Sequence, residues 1–240
     1  DTMEACERNA ATKGLPILCF GDSLTAGYHG VWPHPLFGPT NNGANELGDS
    51  DGVRYHPYAA RLGARLAQDA GQPPGIDVAL RFAECRAYSG WTAVDLLPKL
   101  RAELAMPGRW RAVVILAGTN DILLGGMAAA EALANVGALH AVCDDAKVPL
   151  VVIVNSGVDI AHFTPVPAEN KTAVAKAMVE FSDGIATRAA EEGRAVIDAR
   201  VLLPMDDAHA ELWDDSLHYS PAGSQKLGDA VYEVLKVAGL

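Results

Sequence analysis

The sequence predicts an α/β protein built on a five-stranded parallel sheet with helices on both faces. Three observations carry that prediction. Short apolar runs of strand length alternate with longer amphipathic runs, as expected when each strand is followed by a crossover helix. The runs at 112–117 and 150–154 are apolar nearly throughout, as parallel strands buried on both faces are. An apolar fraction of 50% over 240 residues suffices for a continuous core.

The predicted strands lie at 15–20, 76–83, 112–117, 150–154 and 195–198. Helices are expected at 57–70, 92–105, 128–147, 168–192 and 221–237, so each separates two strands or closes the chain. The last has the clearest start: Ser220 supplies a cap, and Pro221 takes the first helical position, where a missing N–H costs nothing. No internal repeat, low-complexity tract or long linker divides the sequence, so residues 1–240 read as a single domain. One segment breaks the rhythm. Residues 28–56 hold so many glycines, prolines and asparagines that they read as a long irregular loop, a length that in compact domains is often functional.

The formal charge of −11, with 19 Lys and Arg against 30 Asp and Glu, argues against a nucleic-acid partner and fits a neutral or cationic substrate. Apolar runs fall far short of the ~20 residues of a membrane helix, so the chain reads as soluble. Its polar stretch 1–13 suits either a cytosolic protein or a mature form already processed. Cys6, Cys19, Cys85 and Cys143 lack metal-ligand spacing and read as buried free thiols. A Cys19–Cys85 bridge would require their two strands to be neighbours. Asn170-Lys171-Thr172 is an acceptor sequon, meaningful only in a secreted protein.

The chemistry-bearing residues fall at strand ends, where ligands bind in open α/β sheets. Gly21-Asp22-Ser23 follows the first strand; a serine there ordinarily caps a helix, but the glycine permits a tight turn that exposes a nucleophile. Gly90 and Asn120 follow the second and third strands and offer a backbone N–H and a side-chain amide to a developing oxyanion. Asp215-Ser216-Leu217-His218 precedes the last helix. A turn with that spacing brings the carboxylate to one imidazole nitrogen and leaves the other free for a nucleophile. Asp159 and His162 repeat the spacing and form the alternative pair.

These residues carry a resemblance. Gly21-Asp22-Ser23-Leu24 with Thr25-Ala26-Gly27, then Gly90, then Gly118-Thr119-Asn120-Asp121, then Asp215 to His218, resemble the four ordered motif blocks of the SGNH/GDSL hydrolase superfamily of GDSL-type esterases and lipases. The resemblance implies a flavodoxin-like three-layer α/β/α sandwich with strand order 2-1-3-4-5 and no metal or cofactor. It implies Ser23 as nucleophile, Asp215 and His218 as its triad partners, and Ser23, Gly90 and Asn120 as oxyanion donors. In compared members the segment after the nucleophile is often shorter than residues 28–56, which bears on the substrate. The G-x-S-x-G elbow of α/β-hydrolases is absent, because position 25 is Thr25.

The expected activity is hydrolysis of a small-molecule carboxylic ester through an acyl-enzyme. The rivals are an acyltransferase on the same site and an inactive binding module of the same fold. Candidate substrate-binding walls are Trp32, Phe37, Leu123, Leu124, Val158, Ile160 and Trp213, each of which core packing would equally explain.

Overall fold

Alternate side chains of the central strands enter two different cores, and this decides the layering. The computed structural model describes residues 14–29 and 54–240. β1 (Ile17–Gly21) leads into a one-turn helix, α1 (Ser23–Ala26). β2 (Tyr28–His29) pairs antiparallel with β3 (Arg54–Tyr55), so a two-residue ribbon brackets part of the segment read as wholly irregular. Then come α2 (Tyr58–Asp69), α3 (Ile76–Phe82), β4 (Ala83–Ala87), α4 (Ala93–Leu104) and β5 (Ala112–Leu116). α5 (Thr119–Leu123), α6 (Ala129–Asp145), β6 (Val151–Asn155) and α7 (Lys171–Glu191) follow. The chain ends with β7 (Ala195–Asp198), α8 (Ala199–Leu202) and α9 (Pro221–Val237).

β4, β1, β5, β6 and β7 form one parallel sheet in that order, which among the sheet's own strands is 2-1-3-4-5. Ile17 and Cys19 join Val114, Leu116, Val152 and Val154 on one face, under Leu62 of α2 and Leu227 and Val231 of α9. Leu18 and Phe20 join Val113, Ile115 and Ile153 on the other, under Leu96 of α4, Val136 of α6 and Phe181 of α7. Period-two alternation thus supplies both cores from the same strands. Cys19 and Cys85 are register partners on adjacent strands, yet they and Cys143 are buried free thiols. The last helix starts as its sequence dictates, with the Ser220 hydroxyl accepting the Gly223 N–H at 3.2 Å.

The second predicted strand requires correction. Residues 76–82 are helical, and the strand lies at Ala83–Ala87. Ile76, Val78, Leu80 and Phe82 imitate strand alternation, but Asp77 in the first turn and Arg81 in the last suit a helix dipole. The helix is also held by a close approach: a Cβ on Gly63 of α2 would lie 2.0 Å from the Ala79 carbonyl oxygen. β4 tolerates charge because it is an edge strand. Its Glu84 and Arg86 are half-buried and pair with each other at 2.7 Å.

Two buried groups give stability opposite dependences on pH. Burial drives His140 of α6 down from 6.5 to about 4, against the pull of Glu192. Its folded value lies below the unfolded one, so its contribution is present above about pH 6.5 and is lost as pH falls toward about 4. Burial raises Asp22 from 3.8 to about 7, so its contribution is present below about pH 4 and is lost as pH rises through about 7. The two slopes oppose each other in the wild-type protein. The stability of wild type minus that of His140→Gln, measured by urea unfolding at each pH, should fall by up to about 3 kcal/mol from pH 7 to 4. Parallel curves would show that His140 titrates alike in the folded and unfolded chain.

Candidate active site

β1 delivers Ser23 to the carboxyl edge of the sheet at its reversal point, between β4 and β5. Gly21 has no alternative there, since a Cβ would lie 1.9 Å from the Leu116 carbonyl oxygen. Asp22 turns the chain: its backbone is extended and its Oδ1 accepts the Leu24 N–H at 3.0 Å, so α1 begins at Ser23. Gly27 closes this single turn in the left-handed region, at φ 70°.

Residues 212–220 bring the imidazole back to that edge. An antiparallel bridge between Trp213 and Tyr219 closes the loop. Within it, Asp215 Oδ1 accepts the N–H groups of Leu217 and His218 at 2.7 and 2.6 Å. Asp215 Oδ2 lies 2.8 Å from His218 Nδ1, and His218 Nε2 lies 3.1 Å from Ser23 Oγ. Partial burial would raise Asp215, but the hydrogen bonds and positive charge of His218 outweigh it and hold the carboxyl at about 2. An ionised carboxylate accepts only, which assigns the Nδ1–H tautomer and leaves Nε2 facing the serine as acceptor. The Tyr28 ring packs 4.6 Å from the imidazole, centre to centre, and limits its swing.

Gly90 and Asn120 arrive from β4 and β5. Gly90 has φ 80°, a turn conformation that favours glycine, and the Thr92 capping box starts α4 directly after it. Asn120 is buried, and its Nδ2 donates one hydrogen to the Trp91 carbonyl at 3.0 Å, which leaves the second hydrogen available. Asp121 joins the two segments. Fully buried, it accepts the Ala93 N–H at 2.8 Å through Oδ2 and Asn135 Nδ2 at 3.0 Å through Oδ1. Burial raises its carboxyl, and these two donors restrain the rise.

Ser23, Gly90, Asn120, Leu124, Asp215 and His218 line one cleft of 710 Å³. Three other expected wall residues lie elsewhere. Val158 and Ile160 border a separate 330 Å³ cavity against α7 and α8, and Ile160 is nearly fully buried. Trp213 faces an adjoining 340 Å³ hollow, packs 4.9 Å from the Tyr219 ring and donates to the Pro204 carbonyl. Leu123 is half-buried and packs between the two cores. Trp32 and Phe37 lie outside the described residues. The cleft also has walls the sequence did not announce: Tyr28, Phe163, Thr164, Pro165 and Leu217, together with His162 of the alternative pair. Tyr28, five residues beyond Ser23, and Leu217, between Asp215 and His218, carried a signal by position, whereas Phe163, Thr164 and Pro165 carried none.

The parallel sandwich of order 2-1-3-4-5, with a serine, an imidazole and a carboxylate in hydrogen-bond sequence at its carboxyl edge, has the fold of the SGNH hydrolases. The chain belongs to the GDSL-like lipase/acylhydrolase family, whose model matches residues 19–226. That membership places it among the carboxylic ester hydrolases. No curated protein matches the sequence. Among solved structures it is similar to the inhibitor-bound aryl esterase of M. smegmatis, at 19% identity and TM-score 0.65, covering 93% of this chain and 99% of that one. A carbohydrate acetylesterase from Sinorhizobium meliloti is similar at 20% identity and TM-score 0.65, with coverage of 93% and 99%. A lipase/acylhydrolase from Enterococcus faecalis is similar at 21% identity and TM-score 0.62, with coverage of 92% and 95%. Among the described residues no helix is long and apolar enough to cross a membrane.

Asp121→Ala should leave the buried Ala93 N–H without its acceptor and the part-buried Asn135 amide with only the weak acceptor Met127 Sδ, at 3.3 Å. The expected loss is about 1–3 kcal/mol of stability in urea unfolding, with faster amide exchange at Ala93. A variant as stable as wild type, with Ala93 still protected, would show that the carboxylate is not what joins α4 to α5.

Proposed function

We propose that the chain hydrolyses carboxylic esters through an acyl-enzyme on Ser23. His218 Nε2 takes the Ser23 proton as Oγ forms its bond to the carbonyl carbon, and Asp215 holds the imidazole and stabilises its cation. The tetrahedral intermediate carries its negative charge on the former carbonyl oxygen. The N–H groups of Ser23 and Gly90 and the second hydrogen of Asn120 Nδ2 receive it. The carbon–oxygen bond to the alcohol then breaks, and His218 returns the proton to the departing oxygen. Water follows the same path in reverse: His218 takes its proton, its oxygen attacks the acyl carbon, and Ser23 leaves with the proton restored.

The observation that carries this reading is the unbroken Asp215–His218–Ser23 series, with contacts of 2.8 and 3.1 Å, at the cleft where Gly90 and Asn120 also lie. Similarity to a carbohydrate acetylesterase supports an ester of a small acyl group, and similarity to an aryl esterase supports ester hydrolysis. Residues 1–240 act in this reading as one catalytic unit.

Ser23→Ala should lose hydrolysis of p-nitrophenyl acetate and labelling by a fluorophosphonate together, while thermal unfolding stays near wild type. Retention of a tenth of the wild-type turnover would exclude Ser23 as the nucleophile. Asn120→Ala should lower kcat by about 10² to 10³ with little change in KM, the usual effect of losing one oxyanion donor. An effect confined to KM would assign Asn120 to substrate positioning instead.

A further inference from the structure

The Asp159–His162 turn, which the mechanism does not use, copies the triad turn bond for bond. Asp159 Oδ1 accepts the N–H groups of Ala161 and His162 at 3.1 and 3.3 Å, and Asp159 Oδ2 lies 2.6 Å from His162 Nδ1. The corresponding atoms of Asp215, Leu217 and His218 make the same three contacts. The two turns are joined directly, since the Asp159 N–H donates to the Ser216 carbonyl at 2.9 Å.

His162 serves no packing purpose. Its side chain is 82% exposed, against 15% for His218, and yet it lines the catalytic cleft. Fixing an exposed imidazole in one orientation costs side-chain entropy that no burial returns. The segment that carries it is nevertheless anchored. Phe163 is buried and its N–H donates to the Asp159 carbonyl, while the Lys171 ammonium holds the Ala161 carbonyl. A histidine hydrogen-bonded through Nδ1 on an anchored wall, on the rim shared by the cleft and the adjoining 340 Å³ hollow, is placed within reach of a bound substrate.

We propose that His162 is a substrate-binding residue, accepting a hydrogen bond from a hydroxyl on the alcohol portion of a polyhydroxylated ester. This rests on ester hydrolysis at Ser23 and goes on to name the substrate class. The chemistry follows from the tautomer. Asp159 takes the Nδ1–H, so the neutral ring presents Nε2 as an acceptor, and an acceptor requires an O–H or N–H on its ligand. The Thr164 hydroxyl, on the same wall, is a neutral partner suited to a second hydroxyl. The side of the substrate follows from the join to Ser216. His218 returns its proton to the departing alcohol, so that alcohol leaves beside the 215–218 turn, against which the 159–162 turn is docked.

The test compares kcat/KM for a monoacetylated glucose and for ethyl acetate, which share an acyl group and differ in hydroxyls. Wild type should prefer the sugar ester. His162→Ala should lower the ratio of the two values about tenfold, the equivalent of one hydrogen bond, and His162→Gln, which keeps an acceptor oxygen, should restore part of it. Absence of a wild-type preference for the sugar ester, or a ratio within about twofold of wild type in His162→Ala, would overturn the proposal. Ser23→Ala assayed on both esters separates the two levels. If it is inactive and the His162→Ala ratio does not move, only the His162 assignment fails; if it still turns both esters over, the reading of the site fails and the assignment with it.

Discussion

The buried carboxylate of Asp121 ties α4, α5 and α6 together beside the site. Its oxygens are taken by the backbone of Ala93, at the start of α4, and by the side chain of Asn135 in α6. Asn120, next in the chain, reaches across to the Trp91 carbonyl. Gly90 and Asn120 come from different strands, yet these bonds make their separation a property of the fold instead of two mobile loops. Oxyanion stabilisation depends on donors already in place, since any reorganisation during reaction is subtracted from the gain. A buried carboxylate is costly unless its acceptors are filled, and here both are.

A second carboxylate lies next to Ser23 under different conditions. Asp22 is as buried as Asp121, but its Oδ2 has no partner among the described residues, and burial with the nearby negative charge of Asp121 lifts it to about 7. Asp215, half-exposed and hydrogen-bonded by three donors, goes the other way to about 2. Divergent environments thus push the carboxyls of Asp22 and Asp215 in opposite directions. Of the two, Asp215 is the one hydrogen-bonded to the ring of His218.

The legible parts of the fold were those that local pattern dictates. The central strands announced themselves by continuous apolar runs, and the last helix by Ser220 and Pro221. The strand at Ala83–Ala87 did not, because an edge strand can carry Glu84 and Arg86 and so lacks a buried strand's signature. The helix before it was misread because its alternation is ambiguous over seven residues, and the deciding contact is between Gly63 and Ala79, distant in sequence. The site divides the same way. Ser23, Asp215 and His218 sit in tight turns whose spacing is written locally. The cleft walls are tertiary products: Phe163 and Leu217 face the triad, whereas Val158 and Ile160, a few residues from Phe163, turn toward another cavity.

The Asp-x-x-His turns show where local spacing stops deciding function. Among the described residues three have the aspartate beside Nδ1 of the histidine: Asp159 with His162 at 2.6 Å, Asp206 with His209 at 2.7 Å and Asp215 with His218 at 2.8 Å. In each the turn fixes the tautomer, because a carboxylate accepts and cannot donate. It does not fix what Nε2 meets. For His218 that is Ser23 Oγ, with the Tyr28 ring alongside and the side chain largely buried, the surroundings a proton-transfer base requires. His162 is exposed on the rim between the cleft and the adjoining hollow, with no hydroxyl of the protein at its Nε2 among the described contacts, and His209 does not line the cleft. One local device therefore sets an imidazole against a serine hydroxyl at one position and leaves one exposed at another, and the difference comes from the tertiary surroundings of each turn.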